Sequence, residues 1–193
     1  RFDIDKEGKK INQEDFASLS GKSKDTAGPD YKYTGSYEEL GEIIKKYVPA
    51  YITELEKLFS IILFNYIFSN GDAHLKNFSL SQTINGDYIM SPAYDLINTR
   101  LHVGDSDFAL ENGLFKDDFK SEVKKKIGYA SLEDFRELGR RFGLNEKRLN
   151  RILTYYSEKN QNVLDLIERS YLDASAKKSY ILSYFTKLNY LKR

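Results

Sequence analysis

A short polar segment, residues 70–77, holds the side chains with the clearest capacity for chemistry. It reads Asn-Gly-Asp-Ala-His-Leu-Lys-Asn and therefore collects a carboxylate, an imidazole, an ammonium group and two amides within a few positions. Such a concentration of polar groups is costly unless they bind something polar. Asp72 and Asn77 stand five positions apart, and another carboxylate, Asp95, follows further along the chain. These residue types fit a site that holds a hard cation, because such cations prefer oxygen ligands.

The spacing of these residues matches the arrangement that transfers a phosphoryl group from ATP to a protein hydroxyl. In that arrangement an aspartate accepts the hydroxyl proton, an asparagine five residues later binds Mg²⁺, and a second aspartate completes the metal site. Asp72 is then the predicted base, and Asn77 and Asp95 are the predicted metal ligands. His74 and Lys76 supply donors that could neutralise charge on the transferred group.

Two elements must position this segment: a buried helix before it and a β-hairpin after it. Residues 53–68 are apolar on most faces, which is typical of a central helix. Gly71 suits the left-handed turn that commonly follows a helix. An Asn-Gly pair between short apolar runs predicts a hairpin within residues 78–90. Because antiparallel strands lie side by side, we expect the hairpin to bring Asp95 back beside Asn77.

The rest of the sequence predicts a mainly α protein. Residues 1–33 are rich in turn formers, and the pattern there favours only one short helix, near residues 14–19. Ser36 is the predicted N-cap of a helix over residues 37–47, which Pro49 ends. Further helices are predicted over residues 131–143, from Asn145 through Tyr156, around residues 164–166 and over residues 171–190.

Composition bounds the class of protein. The 193 residues fit one domain, spanning residues 1–193, or the larger half of a two-lobed protein. The formal net charge of +1 argues against a dedicated nucleic-acid or membrane-surface binder. The absence of cysteine excludes disulfides and thiolate metal sites, and a cytoplasmic location is the simplest interpretation. The longest apolar stretch is too short to span a membrane, which needs roughly 20 residues.

The polar segment and its surroundings resemble a known family, the HipA-like kinases, which are the toxin components of bacterial toxin–antitoxin modules. The string Asp-x-His-x-Lys-Asn-Phe-Ser from Asp72 to Ser79 is the specific match. Weaker matches occur in the family's order at Arg1-Phe2-Asp3, Glu14-Asp15-Phe16, Lys32-Tyr33, Phe64-Asn65 and Ser91-Pro92-Ala93-Tyr94-Asp95. The resemblance covers the first half of the chain well and relies beyond Asp107 only on helical character.

The resemblance implies a fold and a role for each matched residue. The expected fold is the C-terminal lobe of a serine/threonine protein kinase, a helical bundle with a small β-hairpin after the catalytic loop, which uses ATP and Mg²⁺. The implied catalytic residue is Asp72, the implied ATP- and phosphate-binding residues are Arg1, Phe2, His74, Leu75, Lys76, Asn77 and Tyr94, and the implied metal ligands are Asn77 and Asp95. One departure is Ile4, where the family usually has arginine beside the hinge.

The resemblance also implies partners and a missing part. Known members phosphorylate aminoacyl-tRNA synthetases, and their usual partner is a small helix-turn-helix antitoxin that binds operator DNA, so any DNA contact is expected to be indirect. The family's N-terminal lobe, with its phosphate-covering loop and nucleotide-binding lysine, precedes the hinge at Arg1 and Phe2. We therefore expect a fragment or one half of a split kinase, with negligible activity by itself.

Two alternatives remain open on the sequence. Asp72, His74 and Asp95 could instead surround a metal-activated water in a hydrolase, for which a transition metal would be preferred. The chain could also be a helical interaction module with an inactive site. Its basic stretches, residues 124–126 and 140–151, could then contact nucleic acid or an acidic partner, although interspersed glutamates favour a solvated surface.

Overall fold

The computed structural model describes residues 2–193 and shows a mainly α protein with one small antiparallel sheet. Arg1 lies outside the described residues. The helices are α1 (Phe16–Leu19), α2 (Lys24–Ala27), α3 (Tyr37–Tyr47), α4 (Tyr51–Ile67), α5 (Glu122–Ile127), α6 (Leu132–Phe142), α7 (Glu146–Ser157), α8 (Gln161–Arg169) and α9 (Ala174–Leu191). The strands are β1 (Gln13–Asp15), β2 (Ser79–Gln82) and β3 (Tyr88–Met90). The expected fold class is confirmed.

Helices α3 and α4 form as their sequences predict. Ser36 caps α3 through a capping box in which the Glu39 carboxylate accepts from the Ser36 backbone N–H at 2.6 Å. Helix α4 buries most of its surface and packs against α3, α6 and α9, so it is the central helix of the lobe. Because α4 ends directly before the polar segment, its rigid position fixes where that segment begins.

The sheet differs from the sequence expectation in one respect. The predicted hairpin is present as β2 and β3, but the segment predicted to be a helix near residues 14–19 begins as strand β1, which pairs with β2. Asp15 ends this strand and caps α1 by accepting from Ser18 N at 2.9 Å. The strand was missed because β1 has only three residues, too few for an alternating pattern.

A buried carboxylate joins the sheet to the central helix. Glu54 in α4 is 3% exposed, and its Oε2 accepts a hydrogen bond from the backbone nitrogen of Met90 at 2.9 Å. Its Oε1 accepts from Lys57 at 2.7 Å, which places a cation beside the buried charge. The hairpin is therefore anchored to the same helix that leads into the polar segment.

The C-terminal helices cover the other side of α4. Capping of α6 is confirmed: Ser131 and Asp134 form a capping box, and the same carboxylate accepts from Ser121 N at 3.0 Å. The helix predicted over residues 171–190 begins later, at Ala174, because Asp173 is its N-cap. Within residues 2–193, no helix is long and apolar enough to cross a membrane.

The basic stretches of these helices are engaged with acids. Arg141 in α6 forms ion pairs with Glu38, Asp117 and Glu137 at 2.9–3.0 Å, and Arg140 pairs with Glu146 at 2.9 Å. Arginine side chains that are already paired have less capacity to bind phosphates or acidic partners. This arrangement favours the solvated-surface interpretation of the basic stretches.

Candidate active site

Asn70 organises the entrance to the polar segment. Its Nδ2 donates to Asn65 Oδ1 in α4 at 2.9 Å and to the Asp95 backbone oxygen at 3.1 Å. Its Oδ1 accepts from the Asp72 backbone nitrogen at 3.2 Å. A single buried amide therefore connects the central helix, the polar segment and the residue beyond the hairpin. Asn70 was not a predicted site residue, and no local sequence signal distinguishes this role.

The backbone around Gly71 corrects one expectation. The left-handed residue after α4 is Ser69, with φ of 56°, and Gly71 is not in that region. Glycine is needed at position 71 because a Cβ there would lie 2.5 Å from Asp105 Cβ and from the Ser106 backbone oxygen. The Gly71 nitrogen also donates to Thr99 Oγ1 at 2.9 Å. Glycine is therefore required at position 71 by close packing against residues 99–106 and not by its backbone conformation.

Asp72, the predicted base, is half-buried and held on several sides. Tyr33 Oη donates to its Oδ1 at 2.8 Å across 39 positions of sequence. Its backbone oxygen accepts from His74 N at 2.8 Å and from Asn77 Nδ2 at 3.2 Å. Tyr33 belongs to one of the weaker matches to the HipA-like kinases, but it was not a predicted site residue. The geometry makes it the principal side-chain partner of Asp72.

Asn77 and Asp95, the predicted metal ligands, are brought together as the hairpin argument requires. Asn77 Nδ2 donates to Asp95 Oδ2 at 2.9 Å, although 18 positions separate the two residues. Asp95 has φ of 55°, a left-handed conformation that is uncommon outside glycine and is concentrated at functional sites. The side chains of Asn77 and Asp95 thus present an amide and a carboxylate next to Asp72.

The donor set fits Mg²⁺ better than a transition metal. Mg²⁺ in nucleotide sites usually takes one or two carboxylates together with phosphate oxygens and water, which Asp95 and Asn77 match. No cluster of three or more histidine, cysteine or acidic side chains able to hold a metal occurs in the part of the chain that the structure describes. The hydrolase alternative, which needs Asp72, His74 and Asp95 around one ion, therefore lacks its expected ligand cluster.

The residues between Asp72 and Asn77 differ in what they can offer to a phosphate. His74 is 7% exposed, its ring meets Tyr33 edge-on at 5.3 Å, and its Nδ1 has no hydrogen-bond partner. Burial, followed by the nearby Lys32 charge, lowers the pKa of His74 and favours the neutral imidazole. Leu75 is buried, so only its backbone could reach a ligand. Their roles in phosphate binding stay predictions.

Lys76 and Tyr94 lie on the accessible side of the segment. Lys76 is exposed, and its backbone oxygen accepts from Tyr94 Oη at 2.8 Å. Burial raises the pKa of Tyr94, so the phenol remains a donor at neutral pH. The Phe2 ring stacks on Tyr94 with centroids 5.6 Å apart. Phe2 and Tyr94 therefore form one aromatic surface beside the predicted metal ligands. Arg1, which was also predicted to bind ATP, lies outside the described residues.

A helical lobe in which a hairpin brings one aspartate back beside another aspartate and an asparagine is the arrangement of the protein-kinase-like fold class. Within that class, the HipA-like C-terminal domain matches residues 1–164, and this chain belongs to that family. "Putative kinase Y4dM" of Sinorhizobium fredii is 30% identical over 148 residues, which are 76% of this chain and 32% of that protein. A "Putative kinase" of Haemophilus influenzae is 24% identical over 185 residues, which are 89% of this chain and 53% of that protein.

A solved structure shares the fold. HipA of Shewanella oneidensis MR-1, in a toxin–antitoxin complex with HipB and operator DNA, superposes with a TM-score of 0.64 at 20% identity. The match covers 97% of this chain and 46% of that chain. This chain thus spans about half or less of the length of these relatives.

Proposed function

We propose that this chain is the C-terminal catalytic lobe of a serine/threonine protein kinase that uses ATP and Mg²⁺. The observation that carries the proposal is the hydrogen bond from Asn77 Nδ2 to Asp95 Oδ2, which holds the two proposed metal ligands together beside Asp72. When bound, Mg²⁺ would neutralise charge on the nucleotide phosphates. Asn77 and Asp95 are the residues that would hold it.

The remaining residues would bind and orient the reactants. Tyr33 engages one oxygen of Asp72, which leaves the second to accept a hydrogen bond from the serine or threonine hydroxyl of the substrate. The substrate oxygen would form a bond to the γ-phosphorus as the bond to the leaving ADP breaks, and its proton would pass to Asp72. Lys76 would contact the phosphates, and the Phe2–Tyr94 surface would lie near the adenosine part of ATP.

We further propose that transfer needs protein beyond these 193 residues. The described residues would provide the base, the metal ligands and one aromatic surface. The relatives are about two to three times as long as the region that matches this chain. By resemblance to the HipA-like kinases, the substrate would be a protein, for example an aminoacyl-tRNA synthetase. A helix-turn-helix antitoxin would mediate any DNA contact, by likeness to the complex of HipA with HipB and operator DNA. A cytoplasmic location would suit these partners.

The test separates nucleotide binding from transfer. Calorimetry on this chain is expected to detect Mg²⁺-dependent ATP binding that Asp95→Ala weakens. In the complete protein, Asp72→Asn should abolish phosphorylation of serine or threonine, whereas Asp118→Asn, an exposed control, should leave it unchanged. Full activity of the Asp72→Asn protein would refute the base, and ATP binding indifferent to both Mg²⁺ and Asp95 would refute the metal site.

A further inference from the structure

A cavity lies apart from the candidate active site, between the segment that follows Asp95 and helix α9. Its volume is about 550 Å³, which is within the range of roughly 300–1,000 Å³ typical of small-molecule sites. Asn98, Arg100 and Leu101 form one wall, and a face of α9 forms the opposite wall. Among the described residues that line it, none belongs to the predicted catalytic or metal-binding set.

Two cationic side chains line this cavity, Arg100 and Lys187. Arg100 Nη1 donates to Asp107 at 3.0 Å, and Lys187, which is only 2% exposed, forms an ion pair with the same carboxylate. Two cations thus share one anion, and charges near a buried wall are weakly screened. Asp173 also lines the cavity, but its carboxylate caps the positive end of α9 by accepting from Ala176 N at 2.8 Å.

Hydrogen-bond donors are also concentrated here. Ser175, Ser179 and Ser183 recur every four residues and so share one face of α9, where they line the cavity. Ser183 Oγ already bonds Ser69 Oγ at 2.7 Å, whereas Ser175 and Ser179 are exposed. The exposed hydroxyls of Ser175 and Ser179 line the cavity and can donate to an acceptor-rich ligand.

An aromatic pair supplies an apolar surface next to these polar groups. Tyr129 and Tyr190 both line the cavity, and their rings stack with centroids 4.5 Å apart and an interplanar angle of 8°. Leu182 adds an aliphatic side chain. Pockets that combine an apolar surface with a few convergent polar groups are the usual sites of organic ligands.

We propose that this cavity binds a small organic anion, with its phosphate or carboxylate group toward Arg100 and the α9 hydroxyls and its apolar part against Tyr190. The anionic group would draw on the unshared donors of the Arg100 guanidinium, since only one of its nitrogens is used by Asp107. Lys187 would act through its charge from behind the wall. The proposal concerns this cavity alone and does not depend on phosphoryl transfer.

The test is a binding measurement on the 193-residue chain without Mg²⁺. Phenyl phosphate and benzoate are titrated while backbone amide NMR signals are followed, with benzyl alcohol as the neutral probe of similar size. We expect at least one anion to shift the signals of Arg100 and Ser179, and the comparison of the two identifies the preferred anionic group. Benzyl alcohol is expected to bind at least about tenfold more weakly, because it lacks the charge-assisted hydrogen bond.

Two variants and a matched control make the assignment specific. Ser179→Leu fills the cavity from an exposed position and should abolish binding, and Arg100→Gln should weaken it about tenfold. Lys178→Gln, on the neighbouring exposed position of α9, should change nothing. Thermal melting shows whether each variant is folded. Unchanged anion affinity in both Ser179→Leu and Arg100→Gln, equal binding of benzyl alcohol, or signal changes confined to residues 72–77 would overturn the proposal.

Discussion

Replacing Tyr33 by phenylalanine removes a single oxygen, the one that donates to Asp72 Oδ1 at 2.8 Å. The ring should stay in place, because it packs edge-on against His74 and lies 4.7 Å from the Lys32 ammonium. The Tyr33 backbone oxygen also accepts from Glu111 N at 2.9 Å, and this bond is unaffected by the substitution. The change therefore isolates the hydrogen bond that orients the proposed base.

The size of the effect follows from the kind of bond. A hydrogen bond to a charged group contributes roughly 1.5–3 kcal/mol, and partial exposure of Asp72 favours the lower end of that range. A loss of about 1.5 kcal/mol from the transition state corresponds to a roughly tenfold lower kcat. The KM for ATP should be unchanged, because no hydrogen bond among the described residues links Tyr33 to Asn77 or Asp95.

The assay is steady-state phosphorylation of a protein or peptide substrate by the complete protein. Tyr31→Phe is the matched control, since Tyr31 lies in the same turn but packs against the hydrophobic core. Melting temperatures of the two variants exclude a general loss of structure. If Tyr33→Phe keeps full kcat while Asp72→Asn is inactive, the base is correct and the positioning argument is wrong.

Three further predictions use other parts of the structure. Asp95→Asn, which keeps a residue type that tolerates the left-handed backbone, should weaken Mg²⁺-dependent ATP binding about tenfold or more in calorimetry, and unchanged affinity would contradict the metal assignment. Gly71→Ala should lower the free energy of unfolding by roughly 1–3 kcal/mol in denaturant titrations, because its Cβ would overlap the facing loop. Gly104→Ala, where a Cβ meets nothing within 4 Å, should have little effect, and equal losses would refute the packing argument. Burial lowers the pKa of His74 below its usual 6.5, so the unfolded state binds the proton more readily. The free energy of unfolding should therefore fall as the pH decreases through 6.5. His74→Gln should remove this pH dependence, whereas the exposed control His102→Gln should retain it.

The helices and the loop–hairpin–aspartate layout could be predicted because their signals are local. Ser36 and Ser131 are followed by acids at the positions that complete a capping box, and the structure has both helices where these caps place them. The Asn77–Asp95 contact was also predictable, because a hairpin places residues that are far apart in sequence next to each other. In each case the residues that determine the structure are close together in sequence.

The partners of the base could not be predicted, because they depend on tertiary packing. The Tyr33–Asp72 bond spans 39 positions and requires the turn at Tyr31–Tyr33 to pack against the turn at Leu75–Asn77. The same limit explains the error at Gly71. A glycine after a helix is usually needed for its conformation, and only the folded structure shows residues 105 and 106 pressed against its Cα.

Within residues 2–193, the two non-glycine residues with positive φ lie at the two ends of the candidate site. Ser69 directly precedes the candidate catalytic segment, and Asp95 follows the hairpin as the proposed metal ligand. Left-handed backbone at non-glycine residues costs roughly 1–3 kcal/mol each, which glycine at both positions would avoid. Glycine at position 69 would lose the hydroxyl that bonds Ser183 in α9, and glycine at position 95 would lose the carboxylate. The side chains at these positions are therefore kept at a cost in stability, which is the pattern expected where a fold is adapted to position a reactive site.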